Sequence, residues 1–232
     1  MLADVERRIV LELLKTDNIG YRELAQKIRV STEILSLALR LLPGITLEGD
    51  KVVIADKLLL ALEGVKKGIP PRIIAQYISW KDFEKLSARI LAYHNYVVIT
   101  NLLMTKPRRL EIDVLGIDPG SGRAIVIDCK HWHYGLSFSA LIDVGRKHID
   151  RTIKFLKYAS WLYRKYPVLE KIRYAIPLIV TLTTPRVRKI DNRLIVININ
   201  ELNNFLQDVH LVVDELGVKP IRVDEVRGKT LF

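Results

Sequence analysis

The chain has 232 residues, 49% of them apolar and 27% charged, the composition of an ordered protein with one large or two small domains. A single cysteine, Cys129, excludes an internal disulfide and any zinc site built on several thiolates, and no apolar run is long enough to cross a bilayer. The formal net charge of +11 points to polyanionic partners, nucleic acid above all. The N-terminus lacks a basic stretch followed by an apolar one, so a cytoplasmic location without membrane contact is expected. The charged, aliphatic-rich composition is also of the kind found in thermophiles.

Helical spacing of Val5, Ile9, Leu11 and Leu14 predicts a first helix, and Leu24, Ala25 and Ile28 face inward from a second. Ser31 is a good N-cap for a third helix over 31–42, with Glu33 in its first turn. ITLEG and KVVIA, parted by Gly49 and Asp50, read as a hairpin. Three helices and a hairpin over residues 1–56 resemble a winged helix-turn-helix domain, whose third helix faces the DNA major groove. Here that helix would expose Ser31, Thr32, Glu33, Ser36 and Arg40, a set that is not strongly basic. DNA reading, protein contact and assembly all remain open for it.

Residues 57–79 read as a helical linker, restarted at Pro70 and Pro71. From 80 the pattern becomes that of an α/β domain reaching 232. An amphipathic helix with Phe83, Leu86, Ile90 and Leu91 on one side comes first, followed by three strands at 96–100, 109–118 and 123–132. A long helix over 139–166, two further strands and a last helix complete a mixed sheet flanked by helices.

The third of these strands, RAIVIDCKHW at 123–132, runs from four apolar residues straight into Asp128 and Lys130. Burying charge is costly unless it is paired or metal-bound. Alternation puts Asp128, Lys130 and Trp132 on one face and Cys129, His131 and His133 on the other. The tight DPGSG connection makes the preceding strand an antiparallel neighbour, so Asp113 can lie beside Asp128. Two convergent carboxylates suit a hard divalent cation such as Mg²⁺, with Mn²⁺ as substitute, and a neighbouring lysine can orient its water. A structural ion-pair network at the end of a sheet is the alternative reading of the same three residues.

These residues, on these strands in this element order, resemble the PD-(D/E)XK nuclease superfamily over about residues 80–215. Asp113 in EIDVLG matches its first acid, and Asp128 and Lys130 in IDCK match its second acid and lysine. Glu84 in DFEKL matches the acid often found in the preceding helix. The proline before the first acid is replaced by Ile112. The resemblance implies a restriction-endonuclease-like core and a Mg²⁺-dependent DNA endonuclease that leaves 5′-phosphate and 3′-hydroxyl ends. It also implies metal ligation by Asp113, Asp128 and the backbone carbonyl of Cys129. A non-enzymatic DNA-binding protein or regulator on an inactive scaffold of this kind is the other function considered.

Residues 79–232 carry 25 Lys and Arg against 16 Asp and Glu, whereas 1–78 carry 12 against 10. Arg146, Lys147, Arg151, Lys154 and Lys157 give the long helix a basic side fit for phosphate contact. His131 and His133 have the spacing of two metal ligands, though their face is expected to pack against a helix. One active site cuts one strand, so cleavage of a duplex would suit a homodimer.

Overall fold

Apolar residues at helical spacing build the first unit. The computed structural model describes residues 2–74, 76–130 and 137–228, and the chain divides into two compact units, 1–82 and 83–232. In the first unit, α1 (Leu2–Thr16) buries Val5, Ile9, Val10, Leu13 and Leu14. Leu11, expected inside, is only half-buried, because the face is centred on the four-residue steps from 5 to 9 to 13. After β1 (Asn18–Gly20), α2 (Tyr21–Lys27) and α3 (Thr32–Arg40) complete a three-helix layer. The Ser31 side chain caps α3 by accepting a hydrogen bond from the Ile34 backbone N–H at 3.4 Å.

The hairpin of β2 (Ile45–Glu48) and β3 (Lys51–Ile54) takes β1 on its other edge, giving strand order β1-β3-β2. The stretch 57–79 is no free linker. Asp56 caps α4 (Lys57–Lys66), which buries Leu58, Leu60 and Ala61 and packs on α1. A Cβ on Gly64 would stand 2.9 Å from Val10 Cγ1, so the two helices meet at a residue without a side chain. Beyond it, α5 (Pro71–Ile74) follows, and Ile69, Ile74 and Ile78 are buried as well. Lys67 closes over the buried Glu6 at 2.7 Å and over Glu63 at 3.2 Å. A segment that buries this much apolar surface folds with its neighbours.

Ser79 accepts the Asp82 N–H at 3.2 Å and donates to its carboxylate at 2.6 Å, starting α6 (Trp80–Tyr93) at the division between the units. The second unit then forms an antiparallel meander of β4 (Val97–Met104), β5 (Leu110–Asp118) and β6 (Arg123–Lys130). A helical crossover, α7 (Phe138–Tyr158), leads to β7 (Tyr174–Thr181), which lies parallel to β6. β8 (Lys189–Ile190) and β9 (Leu194–Asn198) follow, then α8 (Ile199–Gln207), α9 (Val209–Glu215), β10 (Ile221–Arg222) and α10 (Val223–Arg227). The sheet is seven-stranded and mixed, with order β4-β5-β6-β7-β9-β8 and β10 pairing with β7.

The helix expected over 139–166 ends at Tyr158, and the chain tightens into 3-10 turns at Ala159–Leu162 and Pro167–Lys171. Pro167 cannot continue a helix and pushes Tyr166 before it out of the helical region. The last predicted helix breaks in two at Asp208, whose φ of −121° is not helical.

Two helices cover opposite faces of the sheet. α6 lies on the face of Gly116 and Cys129, where Leu91 fills the space a side chain at 116 would need. α7 lies on the other face, where Arg151 reaches Asp128. A Cβ at 116 would stand 2.7 Å from Leu91 Cδ2, and Leu91 is fully buried. Gly116→Ala is therefore expected to lower stability by about 1–3 kcal/mol through overpacking, read as a drop in denaturant midpoint at unchanged slope. An unchanged midpoint would show that α6 can back away from the sheet.

Candidate active site at the end of the central strands

The carboxyl ends of β6, β7 and β9 lie side by side: Lys130 pairs with Thr181, and Thr181 with Asn198. In open α/β sheets the carboxyl ends of the parallel strands are where ligands bind. β6 lies at the centre of the sheet, antiparallel to β5 and parallel to β7.

Asp128, one residue pair beyond the last rung joining β5 and β6, stands across from Asp113. The ladder does not close there. The Asp113 Oδ2 atom accepts the Cys129 backbone N–H at 2.9 Å. On its other side, β4 meets β5 at Thr100↔Val114 and at Leu102↔Ile112, while Asn101 opposite Asp113 takes a left-handed φ of 50°. Asparagine tolerates that conformation better than most residues. The sheet is thus locally opened on both sides of Asp113.

Asp128 is 2% exposed and accepts two charged donors on one oxygen. Lys130 Nζ donates to Oδ1 at 3.0 Å, and Arg151 Nη1 donates to the same atom at 3.0 Å. Lys130 Nζ is also 2.9 Å from Oδ2, at an angle unsuited to a hydrogen bond, so among the described residues this buried oxygen accepts none. Burial, then the charge of Asp128, pushes the Asp113 carboxyl up to about 6. The Cys129 N–H and Lys130 oppose the rise, and Glu84 adds to it.

Glu84 is buried on α6, one turn before Ser87, which receives the Cys129 thiol at 3.5 Å. Burial pushes that thiol up, which keeps it in the neutral form of a packed core side chain. His148 is buried on α7, one turn before Arg151, and its Nε2–H donates to the Val126 carbonyl at 2.9 Å. Burial holds its imidazole below the usual value, and therefore neutral.

Of the residues assigned from sequence, Asp113, Asp128 and Lys130 come together, and Glu84 and the backbone of Cys129 adjoin them. The basic residues of α7 divide. Arg151 turns inward to Asp128; Arg146 is engaged with Asp191 at 2.8 and 3.3 Å; Lys147 and Lys154 are exposed. His131, Trp132 and His133 lie outside the described residues. Asn101, His148 and the inward turn of Arg151 were not singled out from sequence. Arg151 lies between the buried His148 and Thr152, and because both are polar no apolar spacing in the sequence marked 151 as bordering the core.

No three His, Cys, Asp or Glu side chains converge as a ready-made metal site among the described residues. What is present is a pair of hard carboxylates, one with a buried oxygen that accepts no well-aligned hydrogen bond among the described residues and one whose pKa is raised by burial and then by its neighbour's charge. Both features are relieved by a divalent cation, and hard oxygen donors are what Mg²⁺ and Mn²⁺ take.

The sequence matches no protein-family model and no curated protein. Among solved structures the chain is similar to protein VC1899 from Vibrio cholerae, with 13% identity and a TM-score of 0.36 over 94% of this chain and 54% of that one. It is also similar to the restriction endonuclease FokI, with 12% identity and a TM-score of 0.40 over 90% of this chain and 44% of that one. The chain thus spans about half the length of each.

A carboxyl with a folded pKa near 6, against an ordinary 3.8, stabilises the fold fully below 3.8 and loses that contribution as pH rises through 6. With chelator present, the stability of the protein should fall over this range by on the order of 2 kcal/mol more than that of Asp113→Asn. Urea midpoints of the two proteins across the range test this, and parallel pH profiles would remove Asp113 as the cause.

Proposed function

We propose that this chain is a divalent-metal-dependent DNA endonuclease of the PD-(D/E)XK kind, hydrolysing phosphodiester bonds. The observation that carries this reading is the facing pair Asp113 and Asp128 at the carboxyl end of β6, the first half-buried and the second buried, with the Lys130 ammonium 3.0 Å from Asp128. Asp113, Asp128 and the carbonyl of Cys129 would hold Mg²⁺ or Mn²⁺. A bound cation supplies polarisation of the phosphate and a water acidic enough to attack it.

The chain's own groups do the rest. Lys130, 19% exposed, is held by Asp128 in a position from which its ammonium can align a water and meet developing negative charge. Arg151, 32% exposed, can turn from Asp128 to a phosphate oxygen once that carboxylate is neutralised elsewhere. Glu84, on the opposite side of the strand pair, helps set the protonation of Asp113. The neutral His148 beneath them adds no competing charge.

One observation favours a second reading. Lys130 and Arg151 already satisfy Asp128 as a structural ion triad would, which suits a DNA-binding protein on an inactive scaffold. Titration calorimetry separates the two, since a nuclease requires a Mg²⁺ or Mn²⁺ site that disappears in Asp128→Asn.

The first unit is read as a winged helix whose third helix is a poor match for DNA. Besides Ser31, Thr32, Glu33 and Arg40, α3 exposes Ile34, Leu37 and Leu41, and Ser36 is half-buried. Phosphate contact needs cations and base edges need donors, which three aliphatic side chains do not provide. A chain beginning at Ser79 is therefore expected to keep metal-dependent cleavage and most of the salt dependence of DNA binding. Loss of that salt dependence on truncation would return α3 and its neighbours to the DNA interface. Sedimentation of the two forms shows whether the first unit assembles dimers.

Asp128→Ala and Asp113→Asn are expected to abolish cleavage while leaving DNA affinity equal or tighter, because each removes a charge that repels phosphate. Lys130→Ala should lose about 10²- to 10³-fold in rate and still bind metal. Wild-type cutting rates in the two aspartate variants would displace the site.

A further inference from the structure

From Arg151 to Tyr166 the chain carries five Lys and Arg, five aromatic residues and no acid. Phe155 belongs to the core, but Lys154, Lys157, Arg164 and Lys165 are exposed and Trp161 is 64% exposed. Cations lie against the neighbouring rings: Lys157 Nζ is 5.6 Å from the centre of Tyr158, and Lys165 Nζ is 5.0 Å from that of Tyr166. Arg227 holds Tyr163, 5.8 Å from its ring and donating to its hydroxyl at 2.8 Å. The result is an indole standing in water inside a field of positive charge.

Its place in the fold links it to the site. Lys147, Arg151, Lys154 and Tyr158 follow one another at steps of four, three and four along one edge of α7. Arg151 touches Asp128, and Tyr158 lies about 10 Å further along the helix. The crossover runs from the end of β6 at Lys130 to the start of β7 at Tyr174, which pairs with Arg123. The stripe therefore leads from the carboxylates toward the opposite end of the sheet and finishes at Trp161.

We propose that this stripe binds a single-stranded stretch of nucleic acid, with its phosphates along Lys147, Lys154 and Lys157 and an unpaired base stacked on Trp161. An acidic protein would satisfy the lysines but leave the indole without a flat partner. A duplex would offer phosphates, but its base faces are covered by their neighbours, so only an unpaired base can stack on a side chain. Where the strand leads rests on the nuclease reading; that it binds does not.

Binding of labelled oligothymidylate, oligouridylate of equal length and a blunt duplex, read by fluorescence anisotropy in chelator, tests this without any cutting. Trp161→Ala should weaken both single strands about 10- to 100-fold and the duplex less than about twofold, while Trp161→Phe keeps most of the affinity. Lys154→Gln with Lys157→Gln should lower the salt slope for single strands by about 1.4, and Trp161→Ala should leave the slope alone. Unchanged single-strand affinity in Trp161→Ala overturns the proposal and leaves the nuclease reading intact. An equal loss on the duplex overturns it too, assigning the surface to duplex DNA or to a general fold defect. If wild-type protein shows no metal-dependent cleavage but Trp161→Ala loses single-strand binding, the nuclease reading fails and the stacking site stands.

Discussion

A carboxylate that is 2% exposed, directly after the apolar run Ala124 to Ile127 of β6, is the constraint around which the second unit is arranged. Asp128 cannot be left alone there, since an uncompensated buried charge costs about 3–5 kcal/mol when its partner is removed. Lys130 comes from the same strand two residues on, where alternation places it on the same face. Arg151 comes from the crossover helix, so α7 must cross β6 at a fixed height for its guanidinium to arrive at 3.0 Å. His148, one turn earlier, sets that height by bonding to the Val126 carbonyl, two residues before Asp128. The helix is thereby keyed to the strand at two successive levels, one neutral and one charged.

The opposite face obeys a different rule. There the contacts are close and apolar: Leu91 occupies the absent side chain of Gly116, and Ser87 meets Cys129. α6 can approach the sheet this nearly because position 116 has no Cβ. That approach carries Glu84 into a buried position where its charge reaches Asp113. The packing of Leu91 on Gly116, three residues past Asp113, thus helps bring a third carboxylate to the site.

Much of this was legible in the sequence because it follows from alternation and element order. The meander, the crossover and the facing of Asp113 and Asp128 need only a period of two and a tight DPGSG turn. The role of Arg151 was not legible: its charge read as surface, and a side chain at the margin of a helix face can turn either way. The opening of the sheet at Asp113 was hidden for a like reason, since Asn101 carries no turn signal among apolar neighbours. In the first unit, apolar spacing located the helices, but charge counting missed Ile34, Leu37 and Leu41 on the outer side of α3. Residues 57–79 looked like a linker because two prolines interrupt them, whereas the buried isoleucines on either side tie them to α1 and α4.

The site has three ways to balance its negative charge, and they exclude one another in part. A proton can sit on Asp113, as burial and Asp128 encourage. Lys130 and Arg151 can both hold Asp128, as they do here. A divalent cation between the carboxylates would displace the proton and make one of the two organic cations redundant. Lys130 is 19% exposed, whereas Arg151 is 32% exposed and sits on α7 in line with Lys147 and Lys154. Of the two, Arg151 is the one free to move outward, and the direction open to it is along the basic stripe. In the proposed nuclease, charge neutralisation at the carboxylates and phosphate capture on the helix would be one event seen from two sides. On the proposed function, the guanidinium that holds Asp128 here would become the first cation on the path that ends at Trp161.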